Sequence, residues 1–429
     1  MTRTPAFLLL VLGLGVAFAV CHSGCRKPRP PAAPAAQQGQ KTPTGPVPEE
    51  PRSQTGLVLF EAGNKLQAWS PATGQTTTVR DQAARIQESV ISPDGRALLF
   101  SDDDTDIWLV DLANDVYAQV AEAGKDKSWS VSLAWSHDSQ RFAYTSGGKL
   151  YVAERQTPEQ KRLLAGEAEV NGVCWSPDDT QIAFGRRTPR TYQGQGLFAV
   201  KVASGQKRQV APGSQDVFNE GGPAWSPDGK WIAFEHSWEG GAINLVRPDG
   251  RQYRKGVHGG MRAQWLPDSS GVVFADMGEG YADGVWHYRV ADDQAERLAG
   301  ENQMATVAVP RTGQLVAIGL EATGSETRAW SFSVHDLATG EDRPVGQVEC
   351  VNAEGPLWSW DDKQFAVVTF GPDPELPDAP ASRGTLRAFA SAGGEWSTRQ
   401  PVCERLLGWV DETVVKNRGQ ANEHRAINR

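Results

Sequence analysis

Short apolar runs alternate with turn-forming residues along most of the chain. The clearest stretch is Trp225–Phe234, WSPDGKWIAF, which predicts two antiparallel strands joined by a tight turn. Ser226 and Pro227 suit the first two turn positions. Asp228 can accept a backbone hydrogen bond, and Gly229 tolerates the positive φ that closes the turn. The stretch therefore predicts a β-hairpin.

Variants of this hairpin recur at a regular spacing. The other copies start at Ile91, Trp135, Trp175, Trp265, Val309, Trp358 and Trp409. Successive starts lie 40 to 51 residues apart, and further strand signals after each hairpin bring the repeat to four strands. Repeats of this length with four strands each are typical of a β-propeller.

The two ends of the repeat region complement each other. Residues 57–80 carry three strand signals with no first strand before them, whereas Arg405–Val415 supplies a strand and a degenerate turn. Pairing the two ends would complete one blade and remove an open sheet edge. We therefore predict an all-β propeller of four-stranded blades, closed by pairing of the N- and C-terminal strands. Eight blades are expected, and seven are the alternative if one weak copy is not a blade.

The WSPDG-type copies resemble the repeat of the TolB-like β-propeller family, which is also found in the propellers of prolyl-oligopeptidase-type peptidases. The resemblance covers about residues 57–417, and the predicted propeller domain is residues 56–417. It implies a non-catalytic module that binds protein or ligand, or acts as a scaffold, at the cell envelope. Only 14 residues follow Val415, which leaves no room for the hydrolase domain of such a peptidase.

The N-terminal segment predicts export. Residues 1–25 are interpreted as a signal peptide of the lipoprotein type, because Arg3 precedes an apolar run from Ala6 to Val20. His22–Gly24 precedes Cys25 and resembles a lipobox, so Cys25 is the expected lipidation site. Cleavage as an ordinary signal peptide is the alternative. The expected location is extracytoplasmic, in the periplasm or at the cell surface.

Two segments that flank the propeller contain too few apolar residues to form a hydrophobic core. Residues 26–55 are rich in Pro, Ala and Gln and predict a disordered linker, while residues 418–429 predict a disordered tail. The expected attachment to the membrane is therefore only through the N-terminal anchor.

Catalytic and metal-binding motifs are missing from the sequence. It contains no His-Glu-x-x-His, no Gly-x-Ser-x-Gly and no cysteines at zinc spacing, and the acidic run Asp102–Asp106 reads as a solvated turn. The formal net charge of −9 argues against nucleic-acid binding. We expect no catalytic residue, cofactor or metal, and hence no enzyme. The alternatives are a propeller enzyme (a lyase, cyclase or hydrolase) with its site at the central channel, and a purely structural repeat protein.

A candidate binding face follows from the loop lengths. The connections between second and third strands, and those between blades, are long and irregular, and they emerge on one face of an up-and-down blade. Aromatic and arginine side chains on these loops suit contact with a binding partner, which we expect to be an envelope protein or glycan. The protein itself is expected to be a monomer. The candidates are Trp129, Arg186, Arg187, Arg190, Tyr192, Phe218, His236, Trp238 and Tyr281. All three arginines lie in one predicted loop, Gly185–Gly196.

Two cysteines occupy similar positions in consecutive repeats. Cys350 precedes Trp358 by 8 residues, and Cys403 precedes Trp409 by 6. Because an exported protein permits disulfides, we consider a bridge between Cys350 and Cys403.

Overall fold

The repeat region forms a closed ring of eight blades. The computed structural model describes residues 56–81, 85–122, 131–166, 169–188, 194–213, 220–236, 242–275, 284–322, 328–372, 381–394 and 400–415. Within these ranges it has eight four-stranded antiparallel sheets. The weak copies that start at Val309, Trp358 and Trp409 each contribute to a blade. The prediction of eight blades is therefore confirmed, and the alternative of seven is wrong.

The strands of each blade follow the repeat. Blade 1 contains β1 (Leu57–Glu61), β2 (Lys65–Trp69), β3 (Thr76–Asp81) and β32 (Arg405–Val410). Blade 2 contains β4 (Ile86–Ile91), β5 (Ala97–Asp102), β6 (Ile107–Asp111) and β7 (Val116–Ala121). Blade 3 contains β8 (Leu133–Trp135), β9 (Arg141–Ser146), β10 (Lys149–Glu154) and β11 (Thr157–Ala165). Blade 4 contains β12 (Glu169–Trp175), β13 (Gln181–Arg187), β14 (Gly194–Lys201) and β15 (Lys207–Pro212).

The other half of the ring has the same plan. Blade 5 contains β16 (Glu220–Trp225), β17 (Ile232–His236), β18 (Ala242–Val246) and β19 (Arg254–His258). Blade 6 contains β20 (Met261–Trp265), β21 (Gly271–Ala275), β22 (Val285–Arg289) and β23 (Gln294–Ala299). Blade 7 contains β24 (Ala305–Ala308), β25 (Leu315–Glu321), β26 (Ala329–Asp336) and β27 (Glu341–Glu349). Blade 8 contains β28 (Asn352–Trp358), β29 (Gln364–Phe370), β30 (Gly384–Ala390) and β31 (Val402–Cys403).

First strands lie at the centre of the ring and fourth strands at its rim. The first strands of neighbouring blades contact each other, as β4 does β8 and β28 does β32, whereas fourth strands such as β3 and β7 are largely exposed. Blade 1 closes the ring because β32 pairs antiparallel with β1, with Leu57 opposite Val410 and Val58 opposite Trp409. The predicted pairing of the two chain ends is confirmed.

The tryptophan that starts most repeats joins neighbouring blades. Its ring is buried between two sheets, and its indole N–H donates to a backbone carbonyl on the first strand of the preceding blade. The donor and acceptor pairs, at 2.8 to 3.2 Å, are Trp135 to Val90, Trp175 to Ala134, Trp265 to Ala224, Trp358 to Ala308 and Trp409 to Leu357. This contact explains why the repeat favours Trp over other apolar residues, since a buried indole N–H needs an acceptor.

Blade 7 has Val309 where its neighbours have Trp, and a different residue joins it to blade 6. The Gln264 side chain donates to the Val307 carbonyl at 2.9 Å and accepts from the Val309 amide at 3.1 Å. The hydrogen-bonded contact between the first strands of blades 6 and 7 is thus preserved, but the side chain that makes it, Gln264, belongs to the preceding blade.

The turns between first and second strands form a second set of contacts between blades. The fifth residue of each WSPDG-type turn is Gly95, Ser139, Asp179, Gly229, Ser269, Gly313 or Asp362. Asp179 accepts from the His137 and Asp138 amides of the preceding blade at 2.8 and 3.0 Å. Ser139 accepts from the Asp94 amide at 3.0 Å. The serine and aspartate copies keep the positive φ of the glycines, 60° at Ser139 and 56° at Asp179, so these hydrogen bonds offset a strained backbone.

We expect Asp179→Gly to lower the free energy of unfolding by about 2 kcal/mol, because charged hydrogen bonds are lost while backbone strain is relieved. Ser139→Gly, which removes one neutral hydrogen bond, should cost less than half of that. Burial would raise the pKa of Asp179, but hydrogen bonds from His137 and Asp138 hold it below the ordinary 3.8. The Asp179 contribution is therefore present above pH 4 and is lost as the pH falls through the lower folded pKa. Urea unfolding of both variants at two pH values measures these losses in the free energy of unfolding. Equal losses for Asp179→Gly and Ser139→Gly, or a loss for Asp179→Gly that is the same at both pH values, would contradict the prediction.

The described chain enters and leaves the ring at the same end. Gly56 precedes β1 and packs under the Trp360 indole, where an added Cβ would lie 2.7 Å from the ring. Residues 411–415 follow β32 at this end, where the Asp411 amide donates to the Gly95 carbonyl at 3.0 Å. No helix within the described ranges has the length and hydropathy needed to cross a membrane. The predicted leader, linker and tail lie outside the described residues and stay predictions.

Candidate functional site

The ring has two unlike ends. One end, the turn face, carries the turns between first and second strands and between third and fourth strands. The other end, the loop face, carries the connections between second and third strands and the crossings between blades, as the antiparallel order requires. The candidate binding residues were predicted for the loop face.

The structure describes only part of that candidate set. Trp129, Arg190, Tyr192, Phe218, Trp238 and Tyr281 lie outside the described residues, as does the predicted lipidation site Cys25. His236 is the last residue of β17, at the loop face. Whether the described and undescribed candidates form one surface stays a prediction.

Arg186 and Arg187 lie at the end of a strand, which corrects the predicted loop. β13 continues to Arg187 and β14 begins at Gly194, because both arginines pair in register with β12 and β14. The Arg187 guanidinium forms an ion pair with the Glu169 carboxylate, and the two side chains are only 12% and 2% exposed. The Arg186 guanidinium lies 4.6 Å from the centre of the Phe198 ring and stays partly exposed. Arg187 is therefore committed to a contact within the protein, whereas Arg186 can still meet a partner.

Acidic side chains outside the predicted set lie at or next to the ends of two second strands at the loop face. Glu61 and Glu235 occupy the same place in their blades, three residues beyond the partner of the blade tryptophan, and are 1% and 8% exposed. Burial raises the pKa of Glu61 to about 7, although the Ile86 amide and the Arg405 charge act in the opposite direction. An acidic residue directly after an apolar strand, as in LVLFE and IAFE, is the sequence signal that could have identified both.

Asp102 holds the loop that contains the acidic run. Its carboxylate accepts from the Asp104 and Asp106 amides at 3.0 and 2.9 Å and from the Trp108 indole at 2.8 Å. These bonds form a local turn, which agrees with the interpretation of the run as a turn. Among the described residues, no group of three or more His, Cys, Asp or Glu side chains could hold a metal ion.

Cys350 and Cys403 are both free, buried thiols, so the proposed disulfide is wrong in this structure. Cys350 packs in the core between blades 7 and 8, and Cys403 packs in the core between blades 8 and 1. The sheet of blade 8 separates the two sulfur atoms. Burial raises the pKa of both thiols above the ordinary 9.0, to about 11 for Cys350.

A groove of about 440 Å³ lies on the turn face between blades 3 and 4. Arg141 and Arg162 line it, and both bind backbone carbonyls of blade 4. Arg141 donates to Asp179 O at 3.1 Å, and Arg162 donates to Ala203 O at 3.2 Å and to Val202 O. These arginines connect the two blades, so the groove offers a ligand few uncommitted cationic groups.

Comparison with known proteins identifies the architecture alone. No family model matches the chain, and no curated protein matches it. The dihydro-heme d1 dehydrogenase NirN, solved in complex with DHE, is 15% identical over 90% of this chain and 84% of its own, with a TM-score of 0.58. Dipeptidyl peptidase 4 of Porphyromonas gingivalis is 13% identical over 86% of this chain, which spans 61% of the peptidase, with a TM-score of 0.52.

TolB from Acinetobacter baumannii is 17% identical over 74% of this chain and 80% of its own, but its TM-score of 0.37 is too low to carry an argument. The similar structures thus include TolB as well as named enzymes, and at these identities they share a fold without indicating a function. The chain is an eight-bladed β-propeller built from WSPDG-type repeats.

Proposed function

We propose that this protein is a non-catalytic binding or scaffold module at the cell envelope, exported and tethered to the membrane through Cys25. The leader with its lipobox-like Cys25 and the Pro-rich linker support the tether. The partner is an envelope protein or glycan, and it docks on the loop face.

The observation that carries the proposal is the difference between the two ends of the ring. At the turn face, the carboxylates of residues such as Asp179 and Asp362 accept hydrogen bonds from the turns of neighbouring blades. The polar groups in these contacts are therefore already paired within the protein. At the loop face, the longer connections emerge from a rigid scaffold, and Arg186 stays partly exposed beside them. Binding residues concentrate on variable loops held by a rigid framework. The loop face is therefore the better place for recognition.

Arg186 and Arg190 provide the test, since exchanging these two residues leaves Arg187 and Glu169, which form the ion pair, unchanged. We expect Arg186→Ser with Arg190→Ser to leave the melting temperature within a few degrees and to weaken capture of a partner from envelope extract. The loss should be about three- to tenfold at low salt and smaller at high salt, because salt screens exposed charges.

Arg251→Ser is the matched control, since Arg251 lies at the turn face and its side chain is 86% exposed. It removes one positive charge, against two in the double variant, from the other end of the ring and should leave capture unchanged. Equal capture by wild type and the double variant at both salt concentrations would refute docking on the loop face. Equal losses for the double variant and the control would indicate a general charge effect and also contradict the proposal.

A further inference from the structure

The seam that closes the ring brings together three blades at the loop face. β1 of blade 1 pairs with β32 at the end of the chain, and β4 of blade 2 packs against β32. β31 of blade 8 is joined almost directly to β32, since only residue 404 separates the two strands. We call the contact between β1, β32 and the start of β4 the closing seam.

Glu61 is the residue that touches all three parts of the closing seam. It ends β1, opposite Arg405 of β32 in the strand register. Its carbonyl oxygen accepts from the Glu404 amide at 2.8 Å, and its side-chain Oε1 accepts from the Ile86 amide of β4 at 3.1 Å. The side chain is 1% exposed, so the carboxyl group is held out of water.

The charged groups around Glu61 come from every part of the seam. Arg405 of β32 and Arg85, which precedes β4, favour an ionised carboxyl, whereas Glu404 disfavours it. Arg405 also donates from Nη1 to the Gln87 carbonyl at 2.6 Å, and the Glu404 carboxylate accepts from Arg383 Nε at 2.9 Å. The buried Cys403 thiol of β31 lies near enough to be affected by Glu61. Removal from water is the largest effect on Glu61, and it favours the protonated form.

We propose that Glu61 is a proton-controlled latch on the closing seam. With a proton on its carboxyl group, Glu61 holds β1, β32 and β4 together. When the proton is lost, a negative charge is left in a site that lacks water, and the seam loosens so that water can reach it. The ring therefore closes more firmly in a mildly acidic compartment than in an alkaline one.

The direction of the pH dependence follows from the difference between closed and open seams. In the closed seam the pKa is about 7, and in an open, hydrated seam it returns to the ordinary 4.5. The closed seam thus binds the proton more tightly, and opening releases it. The equilibrium constant for opening should rise by roughly fifty- to a hundredfold between pH 5 and pH 8.

Glu61→Gln is the test variant, because the amide keeps an oxygen for the Ile86 N–H and cannot ionise. Hydrogen exchange is measured on the full chain at Ile86 and at residues 405–410, from pH 5 to pH 8, after correction for intrinsic exchange rates. We expect the wild type to lose protection at these amides as the pH rises, and Glu61→Gln to keep it. Glu159→Gln, on the exposed part of β11, should behave like the wild type. Parallel pH profiles for wild type and Glu61→Gln would overturn the proposal.

A second measurement needs no variant and so does not depend on its folding. The side-chain carboxyl carbons of glutamate are labelled with ¹³C, and the Glu61 signal of the wild-type chain is followed by NMR as the pH is raised. We expect a midpoint near 7, with exchange broadening at seam amides over the same range. A midpoint near the ordinary 4.5 would overturn the proposal, and so would a midpoint near 7 without any change at the seam amides.

Discussion

Removal of residues 404–429 should leave a chain that fails to form a stable monomer. The deletion takes away β32, the innermost strand of blade 1, and exposes one edge of β1. Four apolar side chains of β32 are buried: Leu406, Leu407, Trp409 and Val410. At about 1.5–3 kcal/mol for each, their burial contributes roughly 6–12 kcal/mol, which is comparable to the whole stability of a typical domain. Size-exclusion chromatography should detect aggregates, and the cooperative melting transition should be lost.

The matched control deletes only residues 416–429 and keeps β32 with the residues that directly follow it. This shorter deletion should melt like the full-length chain and remain monomeric. A protein lacking residues 404–429 that melts at the full-length temperature would contradict closure of the ring by β32.

Arg155→Met should lower the free energy of unfolding by about 3–5 kcal/mol, because it leaves a buried carboxylate without its cation. Arg155 of blade 3 is 7% exposed, and its guanidinium binds the Asp111 carboxylate of blade 2 through two nitrogens at 2.8 and 3.0 Å. A third nitrogen donates to Asp94 at 2.7 Å. Urea unfolding at neutral pH measures the loss.

The pH dependence of this loss identifies its cause. Burial would raise the pKa of Asp111, but its hydrogen bonds from Arg155 and Asn114 hold it below the ordinary 3.8. Stability from this pair is therefore present above pH 4 and disappears as the pH falls through the lower folded pKa, so wild type and variant should converge in acid. Adding Asp111→Asn to Arg155→Met should recover part of the loss at neutral pH. Arg251→Met, at a side chain that is 86% exposed, should change stability by less than about 0.5 kcal/mol. A constant difference from pH 3 to pH 7 would contradict an electrostatic origin.

The fold could be predicted from the sequence because most blades repeat the same turn chemistry and the same buried tryptophan. Blade 7 shows why even weak copies count. Val309 replaces the tryptophan there, but the apolar pattern of the second strand around Val316 and Ile318 persists and both side chains are buried. Gln264 of the preceding blade replaces the missing indole contact. An apolar pattern thus survives the loss of any single contact, which is why eight blades could be counted.

The candidate site could not be predicted in the same way, because its side chains meet across strands whose register the sequence does not show. Arg187 and Glu169 are 18 residues apart, and their ion pair arises only when β12 and β13 align. Cys350 and Cys403 look equivalent by position, but they face opposite sides of one sheet. Such errors concern where a strand ends and how it aligns with its neighbours, which the sequence pattern does not specify.

The entry of the chain at the turn face determines how the ring carries mechanical load. If the tether holds the protein at a membrane while a partner pulls at the loop face, the force enters at Leu57 and runs along β1. The hydrogen bonds of β1 to β2 and β32 lie across this direction. They are therefore loaded in shear and must yield together, whereas a strand peeled from its end would lose them one after another. Under such a load β1 would keep the ring intact.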